Sequence, residues 1–410
     1  MTLHLTAPSE KTINSAIRIT ESKSETNRLL LLQALYPSLK LENISNSDDA
    51  EVMKKGLDTS IGKVDIHHAG TAMRFLTSYF SSQEGKEIEL TGSSRMKQRP
   101  IKILVEALRS LGADIEYLEK EGFPPLKIKG QQLDHNAVSL PANISSQYIS
   151  SLCLIGASLK NGLTIELVGK ITSVPYIKMT LALLEEVGIK TKFEGNRIQI
   201  GTKETVKAKN LVVESDWSAA SYYYSVMAMA EIGSVISLSA YKENSLQGDS
   251  ILSELYQRFG VTTDFYDNEI HLKKVSAPEV DAFEQNLSDA PDIAQTIAVT
   301  CLGLGMGCHL TGLHTLPIKE TDRLVAMKTE LEKFGAQVTI NSESLRLLPL
   351  GTAFSKDVSV DTYNDHRMAM AFAPLAMKTS FFVKDAGVVS KSYPEFWNDF
   401  EKVGFGVSKG

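Results

Sequence analysis

The stretch "LVEALRSLGA", residues 104–113, recurs in altered form along this chain of 410 residues. The later copies are "LALLEEVGI" (181–189), "LSELYQRFGV" (252–261), "KTELEKFGA" (328–336) and "WNDFEKVGF" (397–405). Each copy predicts the end of an amphipathic helix, a glycine at the C′ position and then a β-branched stretch. The glycines follow one another at intervals of 76, 72, 75 and 69 residues. A weaker copy, "AEVMKKGLD" (50–58), has its glycine 56 residues before the first of these, so we predict six repeated units with a shortened first one.

A second series of helices interleaves with the first. Its members open with polar residues and become apolar, which is typical of buried helices. They are "SKSETNRLLLLQAL" (22–35), "AGTAMRFLTSYF" (69–80), "SSQYISSLCLIGASL" (145–159), "DWSAASYYYSVMAMA" (216–230), "PDIAQTIAVTCLGL" (291–304) and "NDHRMAMAFAPLAM" (364–377). Strand-like pieces such as "EIELTG" (87–92) and "TIELVG" (164–169) lie between the helices. Each unit is therefore predicted to hold two helices and about four strands.

The two ends of the chain complement each other in this pattern. The sixth unit ends without its returning strands, whereas "MTLHLTAP" (1–8) is strand-like and has no helix before it. We predict that the first strand completes the last sheet. This gives two α/β domains of three units each: residues 1–11 with 215–410, and an inserted domain of residues 12–214.

Several predicted helix starts carry cations that capping does not require. The stretch beginning at Pro317 predicts a helix with Lys319 and Arg323 on one face of its first turn. A helix N-terminus is already positive, so cations there make sense if an anion binds. If the two domains face each other across a cleft, these helix starts converge in it. The sequence therefore predicts an anion site between domains.

The bulk composition limits what the anion and the partners can be. The net charge is −6 and the pI is about 5.8, which argues against general binding of nucleic acids or anionic membranes. The start of the chain has no signal-peptide pattern, and no apolar run approaches the roughly 20 residues of a membrane span. Cys153, Cys301 and Cys308 show no metal-binding spacing. We expect a cytoplasmic protein with buried, reduced thiols.

The ordered motifs resemble those of the EPSP synthases, the 3-phosphoshikimate 1-carboxyvinyltransferases. They are "SKSETNRLLLL", "AGTAMRFL", "LTGSSRMKQRP", "SSQYISSL", "KETDRL", "NDHRMAMAFA" and the single Lys391. The resemblance implies transfer of the enolpyruvyl group of phosphoenolpyruvate to the 5-hydroxyl of shikimate 3-phosphate, with release of phosphate. It also implies a two-domain inside-out α/β barrel with three βαβαββ repeats per domain and ligands in the interdomain cleft.

The resemblance also implies which residues bind the two substrates. For shikimate 3-phosphate they are Lys23, Ser24, Arg28, Ser145, Ser146, Gln147, Ser173, Asp292 and Lys319. For phosphoenolpyruvate they are Lys23, Gly70, Arg99, Gln147, Arg323, Arg367 and Lys391. Two carboxylates can divide the proton transfers of such a reaction. We assign Asp292 to the hydroxyl proton, Glu320 to the methyl proton and Lys23 to the transferring oxygens, with His366 and Lys391 as rival proton donors.

The chain departs from the family pattern at a few positions. His68 stands where Asn is common, Phe75 where Pro is usual, and Thr315 where Asn often contacts the sugar; the usual hairpin between residues 55 and 67 is missing. His67 and His68 are adjacent and point apart, so we predict no metal site. No redox cofactor is indicated, and the resemblance implies a monomer.

Two other functions compete with this interpretation. The related transferase that acts on a UDP-amino sugar usually carries a reactive Cys in a loop near "SRMKQRP", where this chain has none. A pseudo-sixfold ring could also clamp DNA, but the negative net charge and the carboxylates among the cations argue against it.

Overall fold

The structure, a computed structural model, describes residues 1–142, 145–169 and 171–410 and has a mixed α/β fold. The strands of this described part are β1 Leu3–Thr6, β2 Asn14–Ile17, β3 Leu39–Glu42, β4 Ile61–Asp65, β5 Glu87–Thr91, β6 Asp114–Tyr117, β7 Leu126–Lys129, β8 Ala137–Pro141, β9 Leu163–Val168, β10 Thr191–Glu194, β11 Arg197–Ile200, β12 Lys209–Val212, β13 Val235–Ser239, β14 Val261–Tyr266, β15 Glu269–Lys274, β16 Ala282–Asn286, β17 Gly307–Thr311, β18 Val338–Ile340, β19 Leu345–Leu347, β20 Ser359–Val360, β21 Phe381–Val383 and β22 Gly406–Lys409.

Helices alternate with these strands. The α-helices are α1 Lys23–Leu35, α2 Asp48–Leu57, α3 Gly70–Ser81, α4 Lys102–Ser110, α5 Ser146–Gly156, α6 Val174–Glu186, α7 Trp217–Met229, α8 Leu252–Leu255, α9 Ala294–Gly303, α10 Arg323–Lys333, α11 His366–Phe372 and α12 Phe396–Lys402. Short 3-10 turns cover Met96–Gln98, Gly248–Ile251, Tyr256–Phe259, Pro291–Ile293, Leu316–Ile318, Ala373–Met377 and Ala386–Lys391. Within the described residues, none of the helices combines the length and apolar character that a bilayer crossing demands.

The chain divides into two compact units. The split unit consists of Met1–Thr20 and Glu214–Gly410, and the inserted unit is Glu21–Val213. The first crossing therefore lies after Thr20, later than the predicted boundary at residue 12. The reason is β2, which pairs in parallel with β13 and so holds residues 14–17 in the split unit.

Five four-stranded sheets share one strand order, in which a parallel pair is followed by two antiparallel pairings. They are β4-β5-β7-β6 and β8-β9-β11-β10 in the inserted unit, and β2-β13-β15-β14, β16-β17-β19-β18 and β20-β21-β1-β22 in the split unit. Strand β1 lies between β21 and β22, so the first strand completes a sheet of the last helical region. The remaining sheet of the described residues is the parallel pair β3-β12.

Glycines end the helices of the repeated pattern. Those at 112, 188, 260, 335 and 404 all have positive φ, between 73° and 110°. This confirms the predicted C′ role at 112, 188, 335 and 404, whereas Gly260 is the C-cap directly after the 3-10 turn Tyr256–Phe259. Gly56 differs, because it lies inside α2 and has no positive φ. A Cβ there would come 2.5 Å from Cδ1 of Leu76, so this glycine permits close packing of α3. The helix does end here, at Leu57, but the predicted C′ position of Gly56 was wrong.

Each unit has its own hydrophobic core. The predicted buried helices are confirmed most clearly by α7 and α9, in which every residue is buried. Their small hydroxyls pair across the contact: Ser221 with Thr296 at 2.9 Å, and Thr300 with Ser225 at 2.8 Å. These hydrogen bonds satisfy hydroxyl groups whose burial without a partner would lower stability. The three cysteines are buried and unpaired, as predicted.

Candidate active site

Lys319 and Arg323 of the split unit lie just before and at the start of α10. The helix begins at Arg323, so the prediction of a helix start near Pro317 was wrong. Lys319 is extended, with φ −78° and ψ −156°, after the 3-10 turn Leu316–Ile318. The carboxylate of Asp322 accepts the N–H groups of Leu324 and Val325, and this cap fixes the start of the helix.

Asp292 gathers three cations around one carboxylate. Nη1 of Arg323 lies 2.9 Å and Nζ of Lys319 lies 3.3 Å from its Oδ1, while Nη2 of Arg367 lies 3.2 Å from its Oδ2. Burial of this carboxyl, which is 13 % exposed, opposes ionisation. The charges of Arg367, Lys319 and Arg323 outweigh that effect and lower the pKa of Asp292 well below its usual range.

Arg323 bridges three carboxylates. Besides Asp292, its Nη2 donates to Oε2 of Glu320 at 2.8 Å, and its Nε donates to Oδ2 of Asp365 at 2.7 Å. The side chain is only 2 % exposed. Burial alone would lower the pKa of Arg323, but Asp365, Glu320 and Asp292 together raise it above the ordinary value. Asp292, Lys319, Glu320, Arg323 and Arg367 thus form one connected ionic cluster, here called the split-unit cluster.

Two further predicted residues adjoin this cluster through the segment before α11. Asp365 caps α11 by accepting the N–H of Arg367 at 2.9 Å, and His366 Nδ1 lies 3.8 Å from the same carboxylate. Nζ of Lys391 donates to the backbone oxygen of Asn364 at 2.6 Å and to its Oδ1 at 2.8 Å. Asn364 has φ +57°, and such strained residues often serve functional sites.

In the inserted unit, Arg28 of α1 is held by four acceptors. They are Thr180 Oγ1 (2.8 Å), Ser24 O (2.7 Å), Ser150 Oγ (3.2 Å) and Tyr176 O (3.3 Å). Burial lowers the pKa of Arg28 to about 10, which still leaves it charged at neutral pH. Its guanidinium carbon lies 5.5 Å from the ring centre of Phe75, so this departure from the family pattern supplies a stacking surface.

Lys23 starts α1 and pairs with a carboxylate of α2. Its Nζ lies 3.3 Å from Oδ2 of Asp49, whose other oxygen lies 3.4 Å from Nε2 of His68. His67 instead lies near Asp65, with Nδ1 at 3.7 Å from Oδ1. The two adjacent histidines therefore have different partners.

Gly70, Arg99 and Gln147 are brought together around the start of α3. A Cβ on Gly70 would lie 2.5 Å from Nη1 of Arg99, so the guanidinium packs directly on the glycine. Arg74 donates to the backbone oxygens of Gly70 (3.1 Å) and Pro100 (3.2 Å), which ties the two segments together. Gln147 donates from Nε2 to Oγ1 of Thr71 at 3.1 Å.

Three of the four predicted serines lie at the starts of α5 and α6 and have different local roles. Ser145 caps α5 by accepting the N–H of Gln147 at 3.3 Å, and Ser146 is buried in its first turn. Ser173 precedes α6 with φ +53° and makes no side-chain cap bond, although it is only 6 % exposed. A left-handed serine that caps nothing is a candidate ligand.

Sequence reasoning did not assign several residues that support these clusters: Asp49, Arg74, Thr180, Asp365, and Ser218 with Asp249, which are linked to Arg367 through the Ser218 hydroxyl. Asp49 and Asp365 are polar residues at helix starts, where a capping role is the ordinary interpretation. Their long-range partners cannot be seen from local sequence. Among the residues described, no three His, Cys, Asp or Glu side chains gather so as to hold a metal ion. Oγ1 of Thr315 is buried without a hydrogen-bond partner among those residues.

Comparison with known proteins places the chain in a family. Residues 55–400 match EPSP synthase (3-phosphoshikimate 1-carboxyvinyltransferase). The 3-phosphoshikimate 1-carboxyvinyltransferase of Bacteroides fragilis (strain YCH46) is 44 % identical over 410 residues, covering 99 % of this chain and 98 % of the relative. That of Haemophilus influenzae (strain PittGG) is 34 % identical over 423 residues, covering 95 % and 96 %.

A solved structure shares the fold. EPSP synthase from Acinetobacter baumannii superposes with a TM-score of 0.80 at 20 % identity and covers 100 % of both chains. The length of the family match and the identity to full-length relatives lead to one conclusion. The chain belongs to the EPSP synthase (3-phosphoshikimate 1-carboxyvinyltransferase) family.

Proposed function

We propose that this chain transfers the enolpyruvyl group of phosphoenolpyruvate to the 5-hydroxyl of shikimate 3-phosphate, a step toward chorismate and the aromatic amino acids. The family assignment supports the reaction. The observation that carries it is the convergence of Lys319, Arg323 and Arg367 on Asp292. Cations and a carboxylate in one buried cluster can bind anions and move a proton.

The charges of the substrates match the cations of the two units. Two carboxylates and two phosphates carry roughly −5 to −6 if each phosphate contributes −1.5 to −2. Removing such charge from water without partners is prohibitive. The proposed partners in the inserted unit are Lys23, Arg28 and Arg99, and those in the split unit are Lys319, Arg323, Arg367 and Lys391.

Each substrate has its own proposed set of contacts. Shikimate 3-phosphate binds Lys23, Ser24, Arg28, Ser145, Ser146, Gln147, Ser173, Asp292 and Lys319. Phosphoenolpyruvate binds Lys23, Gly70, Arg99, Gln147, Arg323, Arg367 and Lys391. The local links Gly70–Arg99 and Gln147–Thr71 support the second set, since they hold three of its members near the start of α3.

The reaction proceeds by addition and elimination. The 5-hydroxyl oxygen bonds to C2 of phosphoenolpyruvate while Asp292 takes the hydroxyl proton and Glu320 delivers a proton to the methylene carbon. The C–O bond to phosphate then breaks with its electron pair leaving on the phosphate, Glu320 takes back a proton from the new methyl group, and the proton held by Asp292 passes to the departing phosphate. Lys23 stabilises charge on the transferring oxygens. These steps balance without net oxidation or reduction, so the proposal needs no redox cofactor.

The low pKa of Asp292 has a consequence for its role as a base. The cations that lower it are the same ones proposed to bind substrate anions. When the anions arrive, they compete for those cations and weaken their hold on Asp292, so its basicity rises. Substrate binding thus prepares the base.

We also propose a finer architecture and a cellular setting. The architecture is an inside-out barrel with three βαβαββ repeats per domain and ligands in the interdomain cleft, and the setting is that of a cytoplasmic monomer without a nucleic-acid partner. The common strand order of five sheets supports the repeats, and the buried free cysteines agree with a reducing compartment. The family match does not favour a UDP-amino sugar as acceptor.

Phosphate release tests the proposal. The assay uses shikimate 3-phosphate and phosphoenolpyruvate together and each alone, with wild type, Asp292→Asn and, as control, Asp264→Asn, whose partner Lys273 is partly exposed. We expect release only with both substrates, its loss in Asp292→Asn and its retention in the control. Thermal melting checks that Asp292→Asn is folded. Folded wild type that releases no phosphate would overturn the proposal, and UDP-amino sugars would then be tested as acceptors.

A further inference from the structure

A buried carboxyl group, Asp249, is linked to Arg367 but has no part in the proposed reaction. Asp249 lies in the 3-10 turn Gly248–Ile251 and is 4 % exposed. The hydroxyl of Ser218 is hydrogen-bonded to its Oδ2, and Nη2 of Arg367 donates to the same hydroxyl at 3.2 Å. One serine therefore connects Asp249 to a cation that we assign to phosphoenolpyruvate.

The second oxygen of this carboxyl group is not satisfied. Oδ1 of Asp249 is buried and has no hydrogen-bond partner in the part of the chain that the structure describes. An ionised carboxylate needs donors at both oxygens to offset the loss of water. The geometry therefore favours the neutral acid.

Burial and the charges around Asp249 together also favour the neutral acid. Burial is the largest effect, and the negative charge of Asp292 from the Pro291–Ile293 turn adds to it, as does that of Asp216 at the start of α7. Arg367 of α11 and the hydrogen bond from Ser218 of α7 oppose them. The pKa of Asp249 is raised to about 7.

The protonation state matters because Arg367 already holds one carboxylate. It donates to Oδ2 of Asp292 at 3.2 Å. An ionised Asp249 would place a second negative charge one hydroxyl away and compete with an incoming anion for the guanidinium. A neutral Asp249 can keep Ser218 and Arg367 in place without that competition.

We propose that Asp249, in its neutral form, is a positioning residue that holds Arg367 through Ser218 and leaves the positive charge of Arg367 to the phosphoenolpyruvate anion. The inference rests on the proposed function, because it takes Arg367 as part of the phosphoenolpyruvate site. By linkage, binding of the anion favours the neutral acid, and the affinity falls as pH rises through neutrality.

The test is the KM for phosphoenolpyruvate between about pH 6 and pH 9 at saturating shikimate 3-phosphate. In wild type we expect KM to rise by about tenfold over this range. Asp249→Asn, a neutral isostere, should lack the part of this rise that comes from ionisation of Asp249. The phosphate of phosphoenolpyruvate also titrates near pH 6, but it does so equally with both proteins. Coinciding wild-type and Asp249→Asn profiles would overturn the inference.

Two further variants test the inference: a matched control at another buried carboxyl, and a variant that breaks the link from Asp249 through Ser218 to Arg367. Asp399→Asn removes another buried carboxyl of the split unit, which bonds Tyr393 and Lys402, and should keep the wild-type profile. Ser218→Ala breaks the link and should raise KM several-fold at every pH, with a smaller effect on kcat. An unchanged KM in Ser218→Ala would contradict positioning through this hydroxyl.

A measurement on the ligand-free protein separates this inference from the proposed function. Infrared spectroscopy of wild type should show a protonated carboxyl band that is lost between about pH 6 and pH 8, and this needs neither activity nor a variant. Added inorganic phosphate should shift the loss to higher pH. Absence of the band would overturn the inference even if phosphate release proves the transferase. Presence of the band without any phosphate release would instead overturn the proposed function.

Discussion

Arg323 holds both carboxylate oxygens of Asp365, with Nε 2.7 Å from Oδ2 and Nη2 3.4 Å from Oδ1. The same guanidinium also reaches Asp292 and Glu320, so one planar group orients three acids. A lysine cannot reproduce this fork. We expect Arg323→Lys to lower the free energy of unfolding by about 3 kcal/mol, because buried carboxylates lose their partner. Urea unfolding measures the change.

The control for this prediction lies on the same helix. Lys328 pairs with Glu332 on the partly exposed face of α10. Lys328→Gln should cost less than about 1 kcal/mol, since such pairs contribute little. Equal losses in the two variants would contradict a special role for the Arg323 fork.

Gly70→Ala tests the contact between α3 and Arg99. The new Cβ would lie 2.5 Å from Nη1, so the flexible guanidinium must move away. We expect the KM for phosphoenolpyruvate to rise about tenfold, equivalent to about 1.4 kcal/mol of lost interaction, while Tm changes little. Gly351→Ala is the control, since its Cβ would meet nothing within 4 Å. An unchanged KM in Gly70→Ala would remove Arg99 from the proposed site.

Lys274→Met removes a buried amine that hydrogen-bonds backbone oxygens in the core of the split unit. Nζ donates to the backbone oxygens of Ala228 (2.8 Å) and Phe259 (2.6 Å), at the ends of two helices. Leaving these oxygens unpaired should lower the free energy of unfolding by about 2 kcal/mol. The neighbouring Lys273, which pairs with Asp264 at the surface, provides the control Lys273→Met, which should change stability less.

The contribution of Lys274 to folding stability depends on pH, and the direction of this dependence follows from its pKa. Burial, and next the charge of Lys378, lower the pKa of Lys274 from 10.5 to about 8. The unfolded chain therefore binds the proton more strongly, so this lysine makes the protein more stable as pH rises from about 8 to 10.5. The neutral amine still donates hydrogen bonds. Lys274→Met should lose this rise of stability with pH. Urea unfolding of wild type and variant at several pH values between about 7 and 10 measures it, and the same pH dependence in both proteins would contradict the argument.

The features that the sequence predicted correctly are those that depend on neighbouring residues alone. The glycine at 335 needs a positive φ whatever surrounds it, and the apolar run of α9 can be stable only when buried. Pro317 predicted the start of α10 too early, because the helix begins only where the carboxylate of Asp322 accepts the N–H groups of Leu324 and Val325. The links from Arg323 to Asp365 and from Arg367 through Ser218 to Asp249 span many residues. No short sequence pattern encodes such distant contacts.

The position of β1 between β21 and β22 governs the order in which the chain can fold during synthesis. The inserted unit, Glu21–Val213, is complete once its own residues have left the ribosome. Strand β1 has no partner until residues 381–383 of β21 have been made, and its sheet is complete only with residues 406–409. Pairing at such sequence separation is slow, because the loop must close before the contact forms. Joining Thr2 to Gly410, whose backbone groups already lie 3.2 Å apart, and reopening the chain elsewhere should therefore speed refolding of the split unit.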